Sequence, residues 1–159
     1  MTGMNSAPQA AAHKPAPLSK QRLRLWLQML KATRHIENRL RENMRNTYAT
    51  TLPRFDVLAM LDRVPEGLKM SELSSRLMVS NGNVTGIIDR LVNDGLVVRV
   101  PIEGDRRATL VRLTQKGRET FAEMAATHEA WVDELFASLS NDDIECAIDM
   151  LMRLRGKDE

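Results

Sequence analysis

Residues 71–114 leave the chain few folds to choose from. In order they present a short helix with an apolar side, a turn, a second helix, and two strands joined by a charged loop. Ser71 is placed to cap the first helix, because a serine hydroxyl accepts one of the backbone N–H groups that an opening turn leaves without partners. Leu73, Leu77 and Met78 make its apolar side, and Val79 with Ser80 makes the turn. Ser80 or Asn81 caps the second helix. There Val84, Ile87, Ile88, Leu91 and Val92 recur at three- and four-residue spacing and form one buried stripe. Gly95 suits the position just past that helix, where the backbone turns left-handed and a Cβ is crowded. Val97, Arg99 and Pro101 then alternate with Val98, Val100 and Ile102, as in a half-buried strand. Residues 103–109 supply the loop, and Leu110, Val111 and Leu113 the returning strand.

That order is a winged helix-turn-helix, which makes the chain mainly α with a small β-hairpin wing, an α+β class. The outward face of the second helix carries Asn81, Asn83, Thr85, Gly86, Asp89, Arg90 and Asn93. Asparagine pairs well with adenine edges, threonine offers a hydroxyl and a methyl to bases, and glycine admits close backbone approach. A plain helical pair packed on a hairpin would show much of the same pattern. The segment that follows separates the two readings.

Asp105-Arg106-Arg107, followed by Ala108 to Thr114 and then Gly117, forms a signature when it comes after such a helix pair. With it the chain resembles the MarR (multiple antibiotic resistance regulator) family of bacterial transcription factors, from about Leu23 to Leu154. The wing of that family carries Asp-x-Arg, followed at fixed distance by Leu-Thr-x-x-Gly. The resemblance implies a homodimer on a palindromic double-stranded operator, with one helix of each subunit in successive major grooves and a wing arginine in the flanking minor groove. It implies repression as the default. By position it makes Arg107 the wing arginine, Asp105 the acid that holds the wing loop, and residues 81–90 the reading helix. Ser80, Asn81, Asn83, Thr85, Gly86, Arg90, Asp105, Arg106 and Arg107 are therefore the DNA-contact candidates. Physics agrees for the wing: a narrow minor groove concentrates negative potential, so a guanidinium gains more there than at an open phosphate.

The rest of the chain reads as support for this unit. Residues 1–18, rich in Ala, Pro, Gly and Ser, read as a disordered arm, and residues 19–159 as a single domain. Ser19 is placed to cap a long helix reaching about Arg45, with Leu23, Trp26, Leu27, Leu30, Ile36, Leu40 and Met44 on one side. Leu52-Pro53 opens a helix bearing Phe55, Val57, Leu58, Met60 and Leu61, because proline's missing N–H costs nothing in a first turn. After the turn at residues 65–67, Leu68, Lys69 and Met70 suit a short strand. Gln115 to about Ser138 forms a second long helix, and Ser140 with Asp143 resembles a capping box opening the last one. Residues 19–46 and 115–159 form the dimerisation region, and residues 53–114 the DNA-reading lobe.

Net charge is only +2, but its distribution is uneven. Residues 1–50 hold nine Lys and Arg against two acids, and residues 119–159 hold three against eleven. An acidic C-terminal segment facing away from DNA fits that asymmetry. One cysteine, Cys146, excludes an intramolecular disulfide and fits a reducing cytoplasm. It sits in the last helix and reads as a small buried hydrophobe. No apolar run approaches the length that spans a bilayer, so no membrane partner is expected and the localisation is cytoplasmic, nucleoid-associated when DNA is bound.

In this family a ligand usually binds between the dimer helices and the reading lobe, so a small-molecule effector is expected. Candidate pocket residues are Arg22, Trp26, Leu30, Arg34 and His35 on the first long helix, Phe55 on the second helix, and His128 and Trp131 on the fifth. Trp and Phe on such stripes also serve as ordinary core. The segments LRLWLQMLKATRHIE, LPRFDVLAMLDR and LMVSNGNVTGIIDRLV resemble a subgroup tied to hydroxycinnamate and other aromatic-acid catabolism. That points to an aromatic acid or an aromatic acyl-CoA thioester, such as a hydroxycinnamoyl-CoA. Lys20, Arg22, Arg24 and Arg34 would then meet coenzyme A phosphates, unless they serve DNA phosphates or the solvent surface. No catalytic constellation, phosphate-cradling glycine loop or metal spacing is present, so the chain is not read as an enzyme and no cofactor is expected. An effector-independent winged-helix regulator, or an architectural protein, is the alternative.

Overall fold

A computed structural model describes residues 17–77 and 81–156, the side chains of 81, 82 and 105–108 excepted. The chain comprises two compact units, residues 1–35 and 36–159. In order the elements are α1 (Leu18–Tyr48), α2 (Leu52–Asp62), β1 (Leu68–Lys69), α3 (Met70–Leu77), α4 (Asn81–Asn93), β2 (Val97–Ile102), β3 (Asp105–Leu113), α5 (Gln115–Phe136) and α6 (Asn141–Arg155). The fold is mainly helical with one small antiparallel sheet, in the strand order β1-β3-β2.

In the first unit the described structure is the N-terminal part of α1. Its capping position is two residues earlier than Ser19: the Pro17 carbonyl accepts from the N–H groups of Lys20 and Gln21, so Ser19 lies inside the first turn. The expected arm therefore ends by Pro17, and residues 1–16 lie outside the described residues. Leu23, Trp26 and Leu27 lie on the solvent side of the chain, Trp26 at 54% exposure.

The second unit holds the core. Leu40 and Met44 are the buried residues of α1, which runs three residues beyond Arg45 and ends at Tyr48. Val57, Leu58 and Leu61 of α2, Leu73 of α3, Val84, Ile88 and Leu91 of α4, and Met124 of α5 close around the sheet residues Val97 and Val111. Each large aliphatic side chain buried this way contributes about 1.5–3 kcal/mol, which fixes the orientation of α4 far more firmly than its own helix propensity would. Pro53 falls in the first turn of α2 as expected.

Two local expectations differ from the structure. Met70 opens α3 instead of ending β1, so Ser71 falls within the helix. The Glu72 carboxylate caps α3 in its place, accepting from the Lys69 N–H at 2.7 Å. Residues 103–109 are not a long loop: the turn is Glu103-Gly104 and β3 begins at Asp105. A register irregularity between Pro101 and Ile102, where Pro101 faces Thr109 but Ile102 faces Asp105, absorbs the extra residues as strand. Val98 also lies outward at 38% exposure, because the pairs Val97–Leu113 and Arg99–Val111 take the core face.

Candidate nucleic-acid interface

The interface begins with the two faces of α4. Val84 and Ile88 are fully buried and Leu91 nearly so, while Asn83, Thr85, Gly86, Asp89, Arg90 and Asn93 are exposed. A Cβ added at Gly86 would meet nothing of the protein within 4 Å, so that side of the helix is open to an approaching surface. Asn81 opens the helix, with its side chain outside the described residues; Ser80, Met78 and Val79 also lie outside them.

Past α4 the backbone turns left-handed at Gly95 (φ 72°), with the Gly95 N–H on the Val92 carbonyl and the Leu96 N–H on the Leu91 carbonyl, both at 2.9 Å. This is the double bond pattern of a Schellman end, and it is why glycine stands there. The start of α5 is bound to the same point. Thr114 donates its hydroxyl to the Gly95 carbonyl at 2.7 Å and its N–H to the Leu96 carbonyl at 3.0 Å. Its oxygen also accepts from the Gly117 N–H at 2.9 Å, capping α5. Lys116 adds a bond from Nζ to the Asp94 carbonyl at 2.9 Å. Gly117 packs so tightly on the Leu96 carbonyl that any Cβ would overlap it. Leu113-Thr114-x-x-Gly117 is thus a joint between the end of α4 and α5, a role that only the folded contacts reveal.

The hairpin β2–β3 stands beside α4. Asp105, Arg106 and Arg107 fall on the first residues of β3, directly after the turn, and their side chains lie outside the described residues. Arg99 on β2 donates from Nη2 to Asp89 Oδ1 on α4 at 2.6 Å. Both groups are partly solvated, so the pair contributes about 0.2–1 kcal/mol. Its larger effect is geometric, because it ties hairpin to helix and neutralises an acid on the outward face. The alternation that singled out both residues carries no information about their pairing.

The effector candidates divide between the units. Arg22, Trp26, Arg34 and His35 are exposed on α1 in the first unit, and Leu30 is half-buried there. In the second unit Phe55 is buried and stacks on His128, with ring centroids 4.6 Å apart and planes at 26°. Phe121 lies 5.6 Å from Phe55. Trp131 meets Tyr48 edge-on at 6.2 Å, and the Tyr48 hydroxyl lies 2.6 Å from Thr127 Oγ1. Burial holds the His128 imidazole below its ordinary range, so it is neutral at pH 7. The structure therefore joins Phe55 and His128 directly and adds Tyr48, Phe121 and Thr127 to their surroundings.

Cys146 is exposed, contrary to the expectation of a buried hydrophobe. It lies on α6, which has no buried residue at all although Ile144, Ile148, Leu151 and Met152 recur along it. The capping box at its start is formed as expected, with Asp143 accepting from the Ser140 N–H at 2.9 Å and Ser140 Oγ accepting from the Asp143 N–H at 3.2 Å. An apolar groove of about 650 Å³ runs between α5 and α6, lined by Ala126, Ala130, Val132, Phe136, Ile144 and Ile148 among others. Among the described residues no helix is long and apolar enough to cross a membrane.

Comparison with known proteins follows the same outline. Residues 50–108 match the MarR family. The crystal structure of a MarR family transcriptional regulator from Silicibacter pomeroyi superposes with a TM-score of 0.71 at 31% identity, over 86% of this chain and 94% of that one. A mutant MarR from E. coli complexed with operator DNA superposes with a TM-score of 0.71 at 25% identity, over 87% and 99%. The transcriptional activatory protein BadR of Rhodopseudomonas palustris is 35% identical over 107 residues, 65% of this chain and 61% of its own length.

Proposed function

This chain belongs to the MarR family of DNA-binding transcriptional regulators, and on that premise we propose that it is a homodimeric repressor. It binds a palindromic duplex operator and is released by a small aromatic acid or an aromatic acyl-CoA thioester. The observation that carries the DNA half is α4, whose inner face is sealed by Val84, Ile88 and Leu91 while Asn83, Thr85, Gly86 and Arg90 face outward. Such a helix offers short polar groups to base edges on a scaffold that does not yield. Arg107, at the start of the hairpin's return strand, reaches the flanking minor groove and Arg106 an adjacent phosphate, while Asp105 holds the turn.

Dimerisation is supported by α6, none of whose apolar residues is buried among the described residues, and by the groove beside it. Covering them with a second copy removes from water a surface that a soluble monomer rarely exposes. Two reading helices then fall one helical turn apart, about 34–36 Å on one face of the duplex. An effector that prefers a different spacing loses one half-site and releases the protein. The Phe55–His128 stack supports an aromatic ligand; Arg22 and Arg34, on the first unit, are exposed cations whose chemistry suits a carboxylate or coenzyme A phosphates.

A gel-shift titration of upstream DNA, run with light scattering on the same sample, tests the core of this. Two chains per palindromic site are expected, with release by hydroxycinnamoyl-CoA or a free aromatic acid. A monomer bound without preference for a palindrome would overturn it; a dimer indifferent to every acid and thioester would leave an effector-independent regulator. The kinship with BadR, a transcriptional activatory protein, favours activation as a second reading. In vitro transcription separates the two by the sign of the change.

A further inference from the structure

The hairpin β2–β3 is held firmly at one end only. Its described residues that are buried, Val97, Val111 and Leu113, all lie at its base. Farther out, Val100, Pro101, Ile102, Thr109 and Leu110 are half-buried or exposed. At the tip Gly104 turns left-handed (φ 86°), and a Cβ built on it would meet nothing within 4 Å. Arg99 stands where the two halves meet. It pairs in register with the buried Val111, and the register irregularity between Pro101 and Ile102 begins two residues beyond it. Bulged strands bend more readily than evenly paired ones. At this boundary Arg99 Nη2 reaches Asp89 Oδ1 on α4 at 2.6 Å. Asp89 lies three residues past Gly86 on the exposed face of that helix.

We propose that Arg99 and Asp89 are positioning residues for DNA recognition, their ion pair setting the angle of the wing to α4 and so which flanking base pairs the wing can select. The proposal rests on the reading of the wing as a minor-groove contact. From Arg99 to Ile102 the strand runs about 10 Å, and a tilt of about 10° at Arg99 carries the tip about 2 Å. Such a shift takes a guanidinium out of hydrogen-bond reach, which ends near 3.2 Å. With the pair formed, helix and wing meet the duplex as one body. Without it the wing settles over a wider arc, and its preference for narrow A·T grooves flattens. Charge and geometry make different demands here. Removing the Asp89 carboxylate by charge alone raises affinity for every duplex equally, whereas loosening the wing changes the ratio between flanks.

Two measurements on the full chain test this. The first needs no DNA: NMR relaxation of the Gly104 amide, with the Gly95 amide as internal reference. Arg99→Gln and Asp89→Asn each lower the Gly104 order parameter and leave Gly95 unchanged, and Arg99→Lys, which keeps charge and reach, restores it. The second uses a duplex that the parent chain selects from a random-sequence pool, prepared with A·T or G·C flanks. The ratio of the two affinities falls about two- to fivefold in Arg99→Gln and Asp89→Asn, the most a pair this exposed can impose, and Arg99→Lys recovers it. Melting followed by circular dichroism shows that the variants remain folded. An unchanged flank ratio, an unchanged Gly104 order parameter, or a uniform gain by Asp89→Asn on both duplexes overturns the proposal. Arg107→Ala run beside them keeps the two readings apart. A ratio flattened by Arg107→Ala and not by Arg99→Gln defeats the positioning role alone. A ratio unmoved by Arg107→Ala defeats the wing reading, and the positioning role with it.

Discussion

Replacing Gly117 by alanine tests whether α4 is fastened to α5 as the contacts indicate. The added methyl would overlap the Leu96 carbonyl oxygen and lie 2.9 Å from its carbonyl carbon. Both sides of the clash are backbone, so no rotamer change relieves it and the first turn of α5 must move away. That movement breaks or lengthens the Thr114 N–H bond to Leu96 and the Gly117 cap on Thr114, each contributing about 1 kcal/mol. Overpacking adds about 1–3 kcal/mol, and alanine's better helix propensity returns about 0.5–1 kcal/mol. The net loss is about 2–4 kcal/mol, which for a chain of this size lowers the melting temperature by roughly 5–15 °C. Thermal unfolding followed by circular dichroism measures it, with Gly86→Ala as the comparison. A methyl at Gly86 meets nothing, so that variant melts at or slightly above the parent while losing affinity for DNA. Equal melting of the two variants would refute the reasoning.

Other perturbations separate the parts of the site. Arg107→Ala is expected to lose roughly 1–3 kcal/mol of operator affinity and to flatten discrimination at A·T flanks, read by footprinting on flank variants; an unchanged footprint removes the wing from the mechanism. Asn83→Ala relaxes preference at one major-groove position in a binding-site selection, whereas a uniform loss over all sequences contradicts base reading. His128 is held below its ordinary value of 6.5 by burial, so the unfolded chain binds the proton more readily. Its stability contribution is complete above pH 6.5 and is lost as pH falls toward the folded value; denaturant midpoints of His128→Gln should lack that fall.

Much of the fold could be read in advance because its causes are local. Gly95 past α4, Pro53 in the first turn of α2 and the Ser140–Asp143 box each depend on residues within one turn of one another, and all three take the expected places. The stripe Val84, Ile88 and Leu91 depends only on helical period. Glu72 takes the place expected of Ser71 through a bond from the Lys69 N–H only three residues back, because the helix opens at Met70. Most of what else the residues alone did not disclose depends on distant partners. Gly117 owes its identity to a carbonyl twenty-one residues earlier in the chain, and the Asp89–Arg99 pair needs the hairpin already folded beside α4. The exposure of Cys146 follows from α6 as a whole, since amphipathic spacing says which side of a helix seeks burial and not whether the same chain supplies the cover.

The uncovered side of α6 carries a consequence for how such a regulator behaves at low copy number. No residue of α6 is buried within its own chain, so, with a second copy covering its apolar side as proposed, the stability of this helix would follow mass action. On that proposal dilute chains would leave the last helix more open to proteases than concentrated chains. Occupancy of a two-chain site would then rise more steeply than in proportion to synthesis, giving a threshold set by survival of the unpaired form as well as by affinity for DNA.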